Sequence, residues 1–239
     1  MASVLPQLNG LKGAALDFLF PRFCLGCGGE GRFICNSCQA GLPRIQSPVC
    51  QKCGQPLPGS SGQTICSNCL NWKAVIDGVR SPFRFEGTVR KAVHEFKYRN
   101  LRAMAGELAV YLADCLRENN ISYDVIVPVP LHPKRLRERG YNQSLLLAAG
   151  LSKLTGFPVN DSSLVRKIYN VPQAKTGSVE ERRQNVIGIF SCVNEDLHKK
   201  KVLLIDDVTT SGATLNACAS VLKTGGAVTV WGLTLAREI

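Results

Sequence analysis

Two adjacent acids, followed by a run of small and hydroxyl residues, are the part of the chain best suited to chemistry. Asp206 and Asp207 come directly after four apolar residues, 202–205, and precede a short loop and a helix-compatible segment over 213–223. A loop at the start of a helix offers unpaired backbone N–H groups and the positive end of the helix dipole, which suit a phosphate. The two carboxylates add acceptors for ribose hydroxyls or for hydrated Mg2+. The stretch therefore predicts a site for the sugar and the phosphate of a phosphorylated sugar.

Two other kinds of phosphate-binding loop are excluded. No G-x-x-x-x-G-K-[ST] string occurs in the chain, and G-x-G-x-x-G occurs only at 26–31, among the paired cysteines and not between a strand and a helix. The structural alternative is a buried strand that ends in an Asp-rich turn before a capped helix. Residues 202–214 resemble the 5-phosphoribosyl-1-pyrophosphate (PRPP) loop of type I phosphoribosyltransferases. The resemblance implies that Asp206 and Asp207 face the ribose 2' and 3' hydroxyls. It also implies a set of residues that hold the 5'-phosphate: Thr209, Thr210, Ser211, Gly212, Ala213 and Thr214.

A cluster of basic residues follows a second β-branched run, 124–129, which prolines end. Lys134, Arg135 and Arg139 belong to this cluster and could hold a pyrophosphate, since guanidinium groups bind phosphate oxygens in pairs. A solvated basic face and a DNA-backbone patch are the alternatives. Ligands of open α/β sheets collect beyond the carboxyl ends of strands, and this position favours a pyrophosphate-binding loop.

Four C-x-x-C pairs near the start of the chain predict two zinc sites. A secreted disulfide framework is the alternative, but two-residue spacing is typical of metal knuckles. Two similar units, 24–38 and 50–69, favour sequential pairing over an interleaved cross-brace. The predicted ligands of the first structural Zn2+ are Cys24, Cys27, Cys35 and Cys38, and those of the second are Cys50, Cys53, Cys66 and Cys69.

Residues 127–143 (VPVPLHPKRLRERGYNQ), the cysteine-rich start, the HEFKY string at 94–98 and the 173–190 segment together resemble the ComF competence family. The similarity runs from about residue 18 to the end. The family implies a phosphoribosyltransferase-like domain behind a zinc ribbon, and a cytoplasmic role in taking up transforming single-stranded DNA. The loop over 169–181 is the expected lid of the sugar site. Arg183, just beyond it, joins Asp206 and Asp207 in the predicted catalytic set.

The elements that must position these residues follow from the pattern of apolar positions. Weak alternation predicts a strand over 79–85, and helical periodicity over 89–117 is interrupted near 97–99. The β-branched run 124–129 and the apolar run 202–205 predict two further strands. The predicted fold class is α/β: a type I phosphoribosyltransferase-like, mostly parallel sheet flanked by helices, preceded by a small zinc-ribbon module with four cysteine ligands per metal. The predicted domains are an N-terminal docking helix over 1–22, a double zinc ribbon over 23–72, and the phosphoribosyltransferase-like domain over 73–239.

Composition narrows the functions that this fold could serve. The chain has 239 residues and a formal net charge of +11, which two zinc ions bound by eight thiolates would lower to about +7. A basic chain suits an anionic partner, and no apolar run reaches the roughly 18 residues that a membrane span needs. We expect a cytoplasmic protein, either free or peripheral at the inner membrane.

Two functions remain open at this stage. One is a PRPP-binding phosphoribosyltransferase-like protein, active or not as an enzyme, that takes Mg2+ with PRPP and is linked to uptake of transforming single-stranded DNA or to nucleotide metabolism. The alternative is a non-catalytic adaptor that binds single-stranded DNA or an uptake helicase or channel, with the PRPP site as a sensor or relic. The intact acid pair favours the first, and the basic charge and zinc ribbons favour the second.

Overall fold

The structure is a computed structural model that describes residues 21–59, 62–72, 74–98, 101–169, 186 and 188–239. These residues fall into two compact units, divided between Leu42 and Pro43. The predicted docking helix lies outside the described residues, except for its last two positions. None of the helices in the described ranges combines the length and the apolar character needed to cross a membrane.

The first unit is built around one cysteine cluster and contains a single short described helix, α1 (Asn36–Ala40). Phe33 and Ile34 are buried in it. The guanidinium of Arg22 lies 5.6 Å from the centre of the Phe33 ring, so a cation–π contact adds to the small apolar core.

The second unit contains the second cysteine cluster and the α/β body. Its elements in chain order are α2 (Ser67–Leu70), β1 (Gly78–Arg80), β2 (Phe83–Arg84), α3 (Gly87–Tyr98), a 3-10 turn (Arg102–Met104), α4 (Ala105–Asn119), β3 (Val125–Pro128), α5 (Pro133–Arg139), α6 (Gln143–Thr155), β4 (Leu164–Arg166), β5 (Phe190–Cys192), β6 (Lys201–Thr209), α7 (Ala213–Thr224) and β7 (Thr229–Arg237).

Five strands form one parallel sheet in the order β1-β7-β6-β3, and β2 continues alongside β7 beyond β1. The register places Ile205 of β6 between Pro128 of β3 and Leu233 of β7. Strands β4 and β5 form a separate antiparallel pair. The main sheet confirms the predicted mostly parallel architecture, with the carboxyl ends of β3 and β6 at one edge.

Helices cover both faces of the sheet, and the four consecutive apolar residues 202–205 of β6 point alternately towards one face and the other. Val202 and Leu204 belong to the buried cluster that contains Leu215 and Leu222 of α7. Successive strand residues point to opposite faces, so the equally buried Leu203 and Ile205 face the other side, where α4 and α6 pack. The central strand is therefore buried on both sides, as expected for a parallel sheet.

Two predicted elements differ in detail from the observed ones. The strand predicted over 79–85 is two short strands, because Ser81 and Pro82 interrupt it, and the buried Ser81 hydroxyl pairs with Thr234 at 2.6 Å. The basic segment after β3 is a seven-residue helix, α5, and not a loop. Pro133 stands at its first turn, the His132 ring accepts the Lys134 N–H, and Gly140 ends the helix with φ +80°.

Candidate functional site

The two acids lie within β6, near its carboxyl end, and hydrogen bonds from the start of α6 hold both of them. Ser144 donates its hydroxyl to Asp206 Oδ1 at 2.9 Å, and Gln143 donates its amide to Asp207 Oδ2 at 2.8 Å. The backbone N–H of Asp207 also donates to Asp206 Oδ1. The strand continues through the acids to Thr209 because β7 pairs with it over the whole length, with Asp206 opposite Thr234.

Asp207 also forms an ion pair with a lysine from a distant part of the sequence. Lys97, on the last turn of α3, places its amine 2.8 Å from Asp207 Oδ1, and the Asp207 side chain is 5% exposed. Both oxygens of Asp207 are therefore engaged inside the protein. Asp206 is the more exposed residue of the pair, although the surrounding protein keeps most water away from its carboxyl group.

Asp206 is the acid with the more perturbed proton affinity. Burial, together with the neighbouring carboxylate of Asp207, raises the pKa of Asp206 to about 7, although Lys97 and the hydrogen bond from Ser144 act in the opposite direction. A group that titrates near neutral pH can exist in either protonation state there, which is typical of binding and catalytic sites.

The predicted phosphate loop has the backbone geometry that anion binding needs. Gly212 takes φ +76° and stands immediately before α7, and Ser211 Oγ lies 3.4 Å from the Ala213 N–H. The first N–H groups of a helix have no partner within the helix, so those of α7 face this end of the strand, where the N–H of Ala213 meets the Ser211 hydroxyl. A β-carbon at Gly212 would lie 3.1 Å from Trp72 Cη2, which shows that the indole covers the loop closely.

The basic residues of α5 rest on aromatic rings around the same edge of the sheet. The Lys134 amine lies 4.7 Å from the centre of the Tyr169 ring, and the Arg139 guanidinium lies 5.3 Å from that of Tyr98. Tyr98 follows Lys97 directly in the chain, so Arg139 and Asp207 contact neighbouring residues at the same end of α3. No described contact joins Lys134, Arg135 or Arg139 to the phosphate loop itself.

Arg166 is a further basic residue near the acids that the sequence did not single out. Burial and the nearby charge of Arg135 lower its pKa, whereas Asp206 raises it, so Arg166 lies within electrostatic range of both. It sits on β4, with its guanidinium 5.7 Å from the centre of the Phe190 ring. The charge of Arg166 therefore acts on Asp206 and is opposed by that of Arg135.

Sequence reasoning missed other members of the site as well: Lys97, Gln143, Ser144 and Trp72. Lys97 stood out only as an interruption of helical periodicity, and Gln143 only as the end of the string at 127–143. A usable signal was present for Gln143 and Ser144. They come directly after Asn142, a residue type that caps helices, so the sequence places both at the start of a helix. Nothing local marks Trp72.

The eight predicted cysteine ligands form two sets, paired in sequence order as predicted. Within each set the sulfur atoms all lie within 4.8 Å of one another. Cys27 and Cys35 are 3.7 Å apart at sulfur, as are Cys53 and Cys66, which matches the edge of about 3.8 Å in a tetrahedron with Zn–S bonds of about 2.3 Å. Four thiols with no open position fit a structural zinc ion and exclude the cross-braced alternative.

The second cysteine cluster is fixed to the α/β body by short backbone contacts. Val79 donates its N–H to the carbonyl of Lys52, and Arg237 Nη1 donates to the carbonyl of Cys53 at 2.7 Å. Gly54 has φ +73°, and a β-carbon there would lie 2.5 Å from the Val79 carbonyl oxygen. On the other side, Asn216 of α7 accepts the N–H groups of Val75 and Ile76.

Two predictions fall on residues outside the described ranges. Arg183 is one, and the lid over 169–181 is the other, except for Tyr169. Both stay predictions.

Known proteins resemble this chain over most of its length. It is 29% identical to the protein named Competence protein F from Haemophilus influenzae, over 88% of this chain and 95% of that protein. It is 29% identical to Competence protein ComFC from Bacillus subtilis, over 86% of this chain and 84% of that protein. It is 26% identical to DNA utilization protein YhgH from Escherichia coli O157:H7, over 86% of this chain and 91% of that protein. The family model Double zinc ribbon domain matches residues 15–70. The predicted resemblance to the ComF competence family is confirmed.

Solved structures with a similar arrangement include a PRPP amidotransferase and a purine phosphoribosyltransferase. One is the glutamine PRPP amidotransferase from B. subtilis complexed with ADP and GMP (TM-score 0.40, 23% identity), which covers 58% of this chain, while this chain covers 29% of it. The other is the purine phosphoribosyltransferase from Pyrococcus horikoshii (TM-score 0.33, 23% identity). The match covers 53% of this chain and 68% of that one. The predicted fold class holds in the observed parallel sheet, its flanking helices and the cysteine-rich module before them.

Proposed function

We propose that the chain binds PRPP or a closely related ribose phosphate, together with Mg2+, at the carboxyl end of β6. In this proposal the ligand site belongs to a protein that serves the uptake of transforming single-stranded DNA or nucleotide metabolism. The proposal is carried by three groups that lie together after one strand. They are the acid pair held by α6, Gly212 in the left-handed conformation, and the first turn of α7 with its backbone N–H groups.

Asp206 is the acid that would meet the ribose. Within the described part of the chain, its hydrogen bonds all go to Oδ1, which leaves Oδ2 for a sugar hydroxyl. Asp207, engaged by Lys97 and Gln143, would instead hold the end of the strand in place. The two acids thus have different tasks in this proposal.

The anionic ends of PRPP would be held by groups of opposite charge. The 5'-phosphate would lie against the loop N–H groups and hydroxyls at the start of α7, where the helix dipole is positive. The pyrophosphate would lie towards Arg135 and Arg139, which are half-buried and therefore better ordered than a fully exposed arginine. Mg2+ would enter with the pyrophosphate and neutralise part of its charge.

Calorimetry with PRPP and Mg2+ on zinc-loaded protein tests the proposal. We expect saturable binding by the wild type, a loss of at least about 100-fold in the Asp206→Ala/Asp207→Ala variant, and no change in the control Asp161→Ala, which removes an exposed acid. Asp206→Asn, which keeps the size of the side chain, should lose about tenfold and guards against a folding defect. Absence of PRPP binding by folded, zinc-loaded wild type would refute the proposal.

A second function, binding of single-stranded DNA, is favoured by the cation–aromatic pairs of the basic helix. Arg139 with Tyr98 and Lys134 with Tyr169 combine charge for the backbone with rings on which bases stack. Arg135→Ala and Arg139→Ala distinguish the two uses, with the exposed Arg137→Ala as control. If these variants bind PRPP more weakly at constant salt, α5 holds the pyrophosphate. If their DNA binding depends less on salt and their PRPP affinity is unchanged, α5 binds the DNA backbone.

A further inference from the structure

The two cysteine clusters share one internal geometry. Each consists of a C-x-x-C-G knuckle and a second C-x-x-C pair, and within each cluster all sulfur atoms lie within 4.8 Å of one another. The matching pairs Cys27–Cys35 and Cys53–Cys66 both have sulfur–sulfur distances of 3.7 Å. A difference in reactivity between the clusters must therefore come from their surroundings and not from the arrangement of the thiols.

Exposure to solvent separates the clusters. All four cysteines of the second cluster are buried, and apolar side chains pack around them. In the first cluster only Cys24 is buried, whereas Cys27 is exposed and the other two cysteines are partly buried. A small molecule dissolved in the solvent can therefore reach Cys27, while the second cluster is closed to it.

The glycine after each knuckle shows how this difference arises. Gly28 and Gly54 hold the same position, directly after the second cysteine, and have similar φ angles of +77° and +73°. A β-carbon at Gly54 would lie 2.5 Å from the Val79 carbonyl oxygen, whereas one at Gly28 would meet no described residue within 4 Å apart from its chain neighbours. The loop beside Cys27 thus leaves open an approach that the protein closes beside Cys53.

We propose that Cys27 and Cys35 form a redox-active pair, at which a peroxide converts the first zinc site into a disulfide and releases the metal while the second site stays intact. The first compact unit is then folded only in the reduced, zinc-loaded protein. The inference does not depend on the proposed function, because it concerns residues of the first unit alone.

The chemistry uses thiolates that metal binding already provides. Cysteines that bind zinc are thiolates, the form of cysteine that peroxides oxidise. The Cys27 sulfur donates an electron pair to one oxygen of hydrogen peroxide, the O–O bond breaks, hydroxide leaves and a sulfenic acid forms. The Cys35 thiolate, 3.7 Å away, attacks that sulfur, forms the S–S bond and releases a second hydroxide. Two sulfur atoms are thereby oxidised and two peroxide oxygens are reduced.

Loss of the metal removes the main support of the first unit. The disulfide leaves Cys24 and Cys38 as the remaining thiol ligands, and a structural zinc ion needs four. The unit has few buried apolar side chains, among them Phe33 and Ile34. A core of this size rarely holds a fold without its metal, so oxidation unfolds the first unit.

Stepwise oxidation of the zinc-loaded full chain with hydrogen peroxide tests the proposal. Released Zn2+ is followed with a coloured chelator, and the cysteines are mapped by mass spectrometry of alkylated peptides. We expect one Zn2+ to leave at least about tenfold faster than the other, together with a Cys27–Cys35 disulfide, because oxidation follows exposure of the thiolate. A thiol reductant and Zn2+ should restore the starting state.

Hydrogen exchange and fluorescence show which unit responds. Peptides of the first unit, where the Leu25 amide donates to the Phe33 carbonyl at 2.9 Å, should lose protection as the first metal leaves. Both tryptophans of the chain belong to the second unit, so their emission should stay unchanged at that stage. Retained protection in the first unit, or an emission change with the first metal, would contradict the proposal.

A shielding substitution tests the route of access. A β-carbon at Gly29 would lie 3.5 Å from Cys27 Sγ, an ordinary contact, so Gly29→Val places a side chain beside the exposed sulfur without removing a ligand. Release of the first metal should slow about threefold or more in this variant. The control Gly59→Val, at an exposed glycine of the second cysteine-rich segment with no neighbouring sulfur, should release it at the wild-type rate.

The wild-type measurement decides the matter even where a variant fails to load both metals. Equal release rates for the two ions, a first disulfide within the second cluster, or a first disulfide that omits Cys27 overturns the proposal. Oxidation of Cys27 to a sulfinic or sulfonic acid without a disulfide overturns it as well, because Cys35 would then not act as the second thiol.

Discussion

Lys97 and Asp207, 110 positions apart in the chain, form an ion pair of 2.8 Å that joins the end of α3 to β6. Only 23% of the lysine side chain and 5% of the aspartate side chain are exposed. A charge pair withdrawn from water to this extent is costly to break by removing one partner, because the other charge is left without a counter-charge. The pair therefore makes α3 a structural support for the acid pair.

Replacement of Lys97 by methionine should lower the free energy of unfolding by about 3 kcal/mol, the lower end of the range for a buried pair that loses one member. Urea unfolding at pH 7.5 measures the change. Lys91→Met, at an exposed position of the same helix, should stay within about 0.5 kcal/mol of the wild type. Equal losses in the two variants would show that the ion pair contributes nothing beyond an exposed lysine.

The stability of the protein should fall as the pH rises from about 5 to about 7. Because the pKa of Asp206 is raised to about 7 in the folded protein, the native state keeps a proton that the unfolded state has released above about pH 4. The unfolded state then binds fewer protons, and the contribution to unfolding free energy decreases by up to about 1.4 kcal/mol per pH unit. Urea unfolding at pH 5, 6, 7 and 8 tests this, with Asp206→Asn lacking the decrease and the exposed Asp161→Asn retaining it.

The affinity for PRPP should rise with pH near neutrality, whereas the stability of the protein falls. An ionised Asp206 accepts hydrogen bonds from ribose hydroxyls at both oxygens, whereas the protonated form loses one acceptor. Affinity measured from pH 6 to pH 8 should therefore rise more steeply for the wild type than for Asp206→Asn. Parallel curves for the two proteins would mean that the ligand's own phosphates account for the dependence.

Substitution of Gly212 by alanine should damage ligand binding and not only stability. Gly212 and Gly156 have nearly the same positive φ, +76° and +77°, but only Gly212 has a neighbour within reach of a β-carbon, namely Trp72. Each alanine should cost about 1 to 2 kcal/mol of stability through its left-handed backbone. Only Gly212→Ala should also weaken PRPP binding, by tenfold or more, in calorimetry. The prediction is wrong if Gly156→Ala weakens binding as much.

Loss of one zinc ligand should have different effects in the two clusters. Metal analysis should give about two Zn2+ per wild-type chain and about one in Cys27→Ser and in Cys53→Ser. Cys53→Ser should lower the melting temperature of the α/β body by about 5 °C or more, because the Cys53 carbonyl accepts a hydrogen bond from Arg237 at the end of β7 and its position depends on the metal. Cys27 belongs to the other compact unit, so its variant should change that transition less.

The central part of the fold could be predicted because its pattern is local. The apolar run 202–205 and the loop behind it mark a buried strand and a helix start, and the helix begins at Ala213 as expected. The strand nonetheless continues through the acids to Thr209, since pairing with β7 supplies hydrogen bonds that outweigh the polar side chains. Regular cysteine spacing likewise predicted the metal clusters and their sequential pairing.

The contacts that organise the site could not be read from the sequence because they join distant segments. Lys97 looks like a break in a helical pattern until β6 places Asp207 beside it. The basic segment after β3 was predicted as a loop from its charge, although Pro133 and Gly140 are typical of the two ends of a helix. Trp72 carries no signal because its role depends on Gly212, which is far away in the chain.

The close approach at Gly54 limits how this architecture can be taken apart. A β-carbon at that position would lie 2.5 Å from the Val79 carbonyl oxygen, at a backbone φ of +73°. A cysteine-rich segment grafted here from another protein would have to bring glycine at the position after its second cysteine, or the seam with β1 would open. The second ribbon is therefore not an interchangeable cassette: it and the sheet must be inherited, or engineered, as one part.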